Sequence, residues 1–217
     1  MRFSEIEFAS LLTYSPWGTT EIEFRSKTTK TNLKTDAYLE TEQILMSEYI
    51  ARGIKKNLEK LPFADFFEAN PILIPTPTSS LTRKDTLWVP ERLATALVNN
   101  GLGKDVKSCL QRTTPLRKSH TSSSANRPKA HEHYNSMSVQ KILFEPDEIL
   151  LIDDIITRGA TLLGAANKLA DAFPKAKIRA FAAMRTISRP EDFSKIFDPC
   201  RGKIELVGED TYSNCIE

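Results

Sequence analysis

The chain has 217 residues, 40% of them hydrophobic and 27% charged, and a formal net charge of +2. This composition predicts a soluble globular protein of one large domain, or one domain with a small appendage, and excludes collagen-like, coiled-coil and disordered classes. No apolar run reaches the roughly 18–20 residues of a membrane span, and Glu5 and Glu7 lie where a signal peptide would be apolar. The three cysteines, Cys109, Cys200 and Cys215, lack metal-binding spacing, so we expect free thiols in a reducing cytoplasm.

Three elements are predicted in the first half of the chain from apolar spacing and prolines. Apolar residues recur every three or four positions over 37–61, which predicts an amphipathic helix ended by Pro62. The apolar run PILIPTP at 71–77 predicts a buried strand that enters a constrained turn. A helix is predicted over 90–100, because Pro90 stands at a first-turn position and Gly101 follows the helix.

The positive charge is concentrated in residues 112–133. This segment holds five basic residues, one acidic residue and all three histidines, so it carries +4, while the remaining 25 basic and 27 acidic residues give −2. It has few apolar residues, which predicts a mobile loop that attracts an anion. His131 and His133 form an HxH pair, but no third residue stands at a convincing metal-ligand spacing. The basic residues of the segment are Arg112, Arg117, Lys118, Arg127 and Lys129.

The most informative stretch begins at Glu148. Residues 149–152 are all apolar, a short turn follows, apolar residues then recur at helical spacing over 162–173, and 178–184 form another apolar run. This order predicts a βαβ unit within an α/β fold, in which an open, twisted, mostly parallel sheet carries helices on both faces. In such sheets a ligand binds beyond the carboxyl ends of the strands, where Asp153 and Asp154 fall. The alternative for these two acids is a solvated turn or a helix N-cap.

The turn can bind a sugar phosphate. Carboxylates accept hydrogen bonds from vicinal hydroxyls, and a helix N-terminus favours a phosphate. Residues 149–162 read ILLIDDIITRGATL, which resembles the phosphoribosyl-pyrophosphate (PRPP) motif of type I phosphoribosyltransferases. The resemblance implies that Asp153 and Asp154 hold the ribose 2′- and 3′-hydroxyls. It also implies that the turn wraps the 5′-phosphate through Thr157, Arg158, Gly159, Ala160 and Thr161.

The order of parts over residues 72–186 is similar to the ComF-like branch of that family. ILIPTPTSS resembles its pyrophosphate loop, and LQRTTP with ANRPKAHEHYNSMSV resembles its flexible loop, whereas DTLWVPE replaces the branch's Arg-Gly-Phe-Asn-Gln signature. The resemblance implies Mg²⁺ held mainly by PRPP, with Asp153 as its candidate protein ligand. It implies a core at 36–187 and a variable hood from segments 1–35 and 188–217. The implied pyrophosphate-binding residues are Thr76, Thr78, Ser79, Arg112, Lys118 and Lys129, and the implied catalytic residues are Arg112, Arg127, Asp153 and Asp154.

Three functional hypotheses follow. The first is a Mg²⁺-dependent phosphoribosyltransferase that acts on PRPP and a nucleobase or similar acceptor in the cytoplasm, with a homodimer as its candidate assembly. The second is a regulator that binds PRPP without transfer. The third is a nucleic-acid-associated protein that uses the basic segment on phosphates, which the −2 charge of the remaining chain disfavours.

Overall fold

The computed structural model describes residues 1–81, 86–117, 127–140 and 145–216. Six α-helices occur in the described residues, with two short 3-10 helices at Leu58–Lys60 and Pro190–Asp192. The α-helices are α1 (Glu21–Thr35), α2 (Met46–Asn57), α3 (Ala64–Glu68), α4 (Val89–Asn99), α5 (Ala130–Asn135) and α6 (Ala160–Ala172). The strands are β1 (Glu5–Tyr14), β2 (Tyr38–Leu39), β3 (Ile44–Leu45), β4 (Ile72–Pro75), β5 (Asp105–Val106), β6 (Leu110–Arg112), β7 (Met137–Val139), β8 (Glu148–Ile156), β9 (Lys177–Thr186), β10 (Phe197–Val207) and β11 (Asp210–Cys215).

One sheet organises the molecule. It has seven strands in the order β11-β10-β1-β9-β8-β4-β5. The five strands from β1 to β5 in this order run parallel, while β10 is antiparallel to β1 and β11 is antiparallel to β10. Two small antiparallel pairs, β2-β3 and β6-β7, lie outside this sheet. The predicted α/β class with a mostly parallel sheet is confirmed.

Helices cover both faces of the sheet. Leu150 and Ile152 of β8 belong to a core that contains residues of α1 to α4, and Ile149 and Leu151 belong to a second core that contains residues of α5 and α6. Successive side chains of a strand point to opposite faces. The run 149–152 is therefore apolar throughout because each of its faces is buried, as the sequence predicts.

The predicted helix over 37–61 is wrong in its first part. Residues 38–45 form the β2-β3 hairpin, in which Tyr38 pairs with Leu45, and α2 begins only at Met46. Gln43 in this hairpin has a φ of 57°, a left-handed conformation that a helix does not contain. Apolar residues at helical spacing continue into the hairpin by coincidence. The predicted strand at 71–77, the helix at 90–100 and the βαβ unit are confirmed as β4, as α4 and as β8-α6-β9.

The basic segment contains regular structure that the sequence does not predict. It begins in β6 and ends in α5, while its residues 118–126 lie outside the described part of the chain. The side chain of Glu132 accepts a hydrogen bond from the backbone amide of Lys129 at 2.8 Å and so caps α5 at its start. Ala130 and His133 are buried, and α5 packs so closely on α6 that a Cβ at Gly164 would lie 2.6 Å from the carbonyl oxygen of Ala130.

The expectation of three free thiols is wrong for two cysteines. Cys200 and Cys215 form a disulfide, whereas Cys109 is free and buried. The antiparallel β10-β11 pair brings the two cysteines within 5.8 Å, measured between their Cα atoms, although 15 residues separate them in sequence. Their spacing resembles no local motif, so only the strand pairing reveals the bond.

Segments 1–35 and 188–217 contribute strands to the same sheet as segment 36–187. β1 lies between β9 and β10, and β10 with β11 forms the edge of the sheet on that side. Helix α1 follows β1 and begins after a capping box in which Thr20 and Glu23 bond reciprocally. Within the described residues, no helix combines the length and apolar character needed to cross a membrane.

Candidate functional site

A cleft lies where the parallel strand β8 ends and α6 begins, beside the turn between β10 and β11. It has a volume of about 110 Å³ and opens to solvent. Its wall contains Asp153, residues 155–162, residues 127–129, His133 and residues 209–211. The cleft therefore stands at the position where open α/β sheets bind ligands.

The two adjacent acids have different surroundings. Asp153 lines the cleft, and its side chain is hydrogen-bonded to Thr76 and to the backbone amide of Asp154, the latter at 2.9 Å. Asp154 is only 7% exposed, and its Oδ2 accepts a hydrogen bond from the Nζ of Lys34 at 2.6 Å. Neighbouring residues of a strand point to opposite faces. Of the two acids predicted to hold ribose hydroxyls, Asp153 thus lines the cleft and Asp154 contacts a lysine of α1.

Burial and the charge of Asp154 raise the pKa of Asp153 to about 7, against the lowering effect of Lys34. The Asp153 carboxyl therefore exchanges its proton near neutral pH. In its neutral form it can donate a hydrogen bond, and in its ionised form it can only accept. A ligand that brings hydroxyl donors or a cation favours the ionised form.

Lys34 is the site residue that the sequence does not indicate. It lies in the last turn of α1, 120 residues before its partner. Burial disfavours its charge, but Asp154 and Asp153 outweigh that effect and raise the pKa of Lys34, with a smaller contribution from Tyr14. The capping box at Thr20 predicts that a helix begins there, but no sequence pattern links Lys34 to the acidic pair.

The turn that precedes α6 has the conformation of an anion cradle. Gly159 has a φ of 83°, and the first helical amides, from Ala160 to Leu162, have no partner within the helix. The positive end of the helix dipole lies at the same place. The Thr161 hydroxyl lies 3.4 Å from the Nε2 of His133. Thr157 is exposed, and its hydroxyl lies 3.1 Å from that of Thr186.

Gly159 is required by packing as well as by its backbone conformation. A Cβ at this position would lie 2.6 Å from the Cγ2 of Ile204 on β10. A side chain here therefore disturbs the contact between the turn and the sheet. Loss of ligand binding in a Gly159 variant would not by itself demonstrate a backbone contact to phosphate.

Two of the predicted cations meet at one carboxylate. The Nζ of Lys129 lies 2.6 Å from the Oδ1 of Asp210, and the Nη1 of Arg158 lies 3.2 Å from the same oxygen. Asp210 begins β11, and all three residues line the cleft. Arg127 also lines the cleft, and its Nε is buried without a hydrogen-bond partner among the described residues. Lys118 lies outside the described part of the chain.

Arg112 is buried and holds together the turn after β4 and the end of α5. It is 6% exposed, its Nε donates to the carbonyl oxygen of Thr78 at 3.0 Å, and its Nη1 donates to the Oγ of Ser136 at 2.5 Å. Burial lowers the pKa of Arg112 to about 10, opposed by the charge of Asp153, so the guanidinium stays charged. Arg112 does not line the cleft, whereas Arg127, Lys129 and Arg158 do.

The turn after β4 is held by its own contacts. The amide of Thr76 donates to the Ile152 carbonyl at 2.9 Å, so that amide is not available to an anion in this conformation. The Thr78 hydroxyl donates to the carbonyl of Ser80 at 2.8 Å, and the Ser79 carbonyl accepts the amide of Leu116 at 3.0 Å. Of the three residues predicted to bind pyrophosphate through their amides, Thr78 and Ser79 keep that possibility.

The two histidines of the HxH pair have different surroundings. His133 is 4% exposed, whereas His131 is exposed on the same short helix. Burial and the charge of Arg112 lower the pKa of His133 to about 3, so the ring is neutral, and its Nδ1 has no partner among the described residues. The described ranges hold no group of three His, Cys, Asp or Glu that could bind a metal. Mg²⁺ commonly binds one or two carboxylates together with substrate phosphates, and Asp153 fits that arrangement.

Comparisons with known proteins do not assign the chain to a family. The chain matches no model of a protein family and no curated protein.

Proposed function

We propose that the protein is a phosphoribosyltransferase that binds PRPP with Mg²⁺ and transfers the 5-phosphoribosyl group to a nucleobase or similar acceptor, with release of pyrophosphate. One observation carries the proposal. A carboxylate of the parallel strand β8, Asp153, three residues before the strand ends, shares a cleft with a glycine turn, a helix N-terminus and the cations Lys129 and Arg158. A sugar phosphate needs both halves of this site, since its hydroxyls require acceptors and its phosphate requires donors.

Each half of the site has a defined task in this proposal. The amides at the start of α6 and the hydroxyl of Thr161 bind the 5′-phosphate, and Arg158 adds a charged donor. Asp153 accepts the ribose hydroxyls in its ionised form, while Lys34 holds Asp154 in place beside it. Asp153 and the substrate phosphates would hold Mg²⁺, which would supply positive charge to the pyrophosphate leaving group. Fixing both ends of the ribose orients C1 toward the acceptor, which lowers the entropic cost of transfer.

The direct experiment measures pyrophosphate release from PRPP and Mg²⁺ with a panel of nucleobases. Calorimetry with PRPP on the wild type and on Asp153→Asn tests the site, with Asp147→Asn as the control. Asp147 is an exposed acid immediately before the same strand, distant from the cleft. We expect Asp153→Asn to weaken binding and Asp147→Asn to leave it unchanged. Equal affinity in all three proteins would refute the assignment of Asp153.

A regulator that binds PRPP without transfer is the second candidate, and the position of Arg112 favours it. The cation expected to stabilise the leaving group is buried and bonded to Thr78 and Ser136. Catalysis of this transfer requires donors that face the pyrophosphate as its charge develops. Tight PRPP binding without pyrophosphate release for any acceptor would favour the regulator.

A further inference from the structure

The cations of the cleft already hold an anion that the chain itself supplies. Asp210 lies after the turn between β10 and β11, and its carboxylate contacts Lys129 at 2.6 Å and Arg158 at 3.2 Å. Lys129 precedes α5 and Arg158 precedes Gly159, so the contact joins three separate segments around the start of α6. The side chains of Lys129, Arg158 and Asp210 are 22%, 30% and 38% exposed, respectively.

We infer that Asp210 is an internal occupant of the phosphate subsite, which an incoming phosphate displaces from Lys129 and Arg158. The inference rests on the proposed function for the identity of the natural ligand, but the competition itself concerns any phosphate. Carboxylate and phosphate oxygens are acceptors for the same charged donors. A phosphate seated against the first amides of α6 lies beside Arg158 and competes with Asp210 for its guanidinium.

The neighbouring groups support an occupant that can be exchanged. The hydrogen bond from Lys129 lowers the pKa of Asp210, which keeps the carboxylate ionised at neutral pH. Both ion pairs are partly exposed, and such pairs are weak individually, so a phosphate can replace them. The buried Nδ1 of His133, without a partner among the described residues, belongs to the same cleft wall and marks it as incompletely satisfied.

The displacement has a characteristic energetic signature. The same two contacts must break whichever phosphate enters, so removal of the Asp210 charge should strengthen all phosphate ligands by the same factor. We expect that factor to be roughly two- to tenfold, the range that two partly exposed ion pairs allow. General repulsion by a nearby acid would instead grow with the charge of the ligand, and neutralising any neighbouring carboxylate would relieve it.

The test compares Asp210→Asn with Glu205→Gln, which neutralises an acid of the same β10-β11 hairpin outside the cleft wall. Calorimetry with inorganic phosphate, ribose 5-phosphate and PRPP with Mg²⁺ gives the affinities. We expect Asp210→Asn to bind all three more tightly by a similar factor and Glu205→Gln to change each less than twofold. Equal phosphate affinity in Asp210→Asn and the wild type, an equal gain in Glu205→Gln, or no phosphate binding to either protein would overturn the inference.

Hydrogen exchange gives a second measurement on the wild type. Amides at 208–211 should exchange faster when inorganic phosphate is bound, because the turn loses its anchor, and equally fast in unliganded Asp210→Asn. Slower exchange on phosphate binding would contradict displacement. A gain for inorganic phosphate without tighter binding of PRPP or any pyrophosphate release would refute the proposed function alone. Binding of PRPP with no gain in Asp210→Asn would refute the inference alone.

Discussion

Neutralising Asp153 should stabilise the protein and, on the proposed function, weaken the binding of PRPP. Burial and Asp154 raise the pKa of this carboxyl to about 7, whereas an aspartate in the unfolded chain has a pKa of about 3.9. The folded protein therefore binds a proton that the unfolded chain has released between these two values. Its contribution to stability is complete below the unfolded pKa and is lost as pH rises through the folded pKa. Asparagine cannot ionise, so the Asp153→Asn variant escapes this loss.

The magnitude follows from the pKa difference. Each pKa unit corresponds to about 1.4 kcal/mol, so the wild type loses about 3 kcal/mol from this group between pH 5 and pH 8. The Oδ1 of asparagine can still accept the Asp154 amide, which keeps the local geometry. We therefore expect the stability advantage of Asp153→Asn over the wild type to be about 2–3 kcal/mol larger at pH 8 than at pH 5.

Urea unfolding at the two pH values measures this difference, and Asp147→Asn is the control. Asp147 is exposed just before the start of the same strand, so its replacement removes one acidic charge at a place distant from the cleft. An advantage of Asp153→Asn that is equal at pH 5 and pH 8, or larger at pH 5, would refute the reasoning. If the variant is more stable but no longer binds PRPP, then Asp153 lowers the stability of the protein and is retained because ligand binding needs it.

Three further substitutions test contacts described above, each by urea unfolding. Arg112→Ala should lose about 2–4 kcal/mol, because the buried Ser136 hydroxyl and the partly buried Thr78 carbonyl lose a charged donor; a variant of wild-type stability with impaired turnover would restore Arg112 as a catalytic candidate. Gly159→Ala should lose about 1–3 kcal/mol, since its φ of 83° and the contact with Ile204 both oppose a Cβ; unchanged stability would contradict this packing. Cys215→Ser should be about 3 kcal/mol less stable than the wild type without reductant, the value for a 15-residue loop. In dithiothreitol, which also reduces the wild-type disulfide, the two proteins should be equally stable, and a difference that persists there would argue against the bond.

The sequence predicts those parts of the site that depend on neighbours in the chain. The apolar run 149–152, the turn and the helical spacing after it fix β8 and α6, because each pattern reflects burial on known faces. Asp153 and the 157–161 turn therefore share the cleft, as expected. The short helix α5 escapes prediction because it has six residues and buries only Ala130 and His133.

The remaining contacts depend on residues distant in sequence. Lys34 reaches Asp154 across 120 residues, and Lys129 reaches Asp210 across 81. Surface lysines and acids occur throughout the chain, so nothing in their local sequence selects these pairs. Strand order decides them, and the place of β10 and β11 beside β1 cannot be read from the spacing of apolar residues.

The position of β1 in the sheet determines when this strand can pair during folding. Phe8 pairs with Ala180 on one side and with Gly202 on the other, so the ribosome makes β1 long before either of its partners. Until then its apolar residues and both of its edges are exposed, which is a state prone to association with other chains. Pairing over such separations is also slow. Because the hairpin that closes this edge carries Asp210, the cleft and the sheet should reach their final form in the same late step of folding.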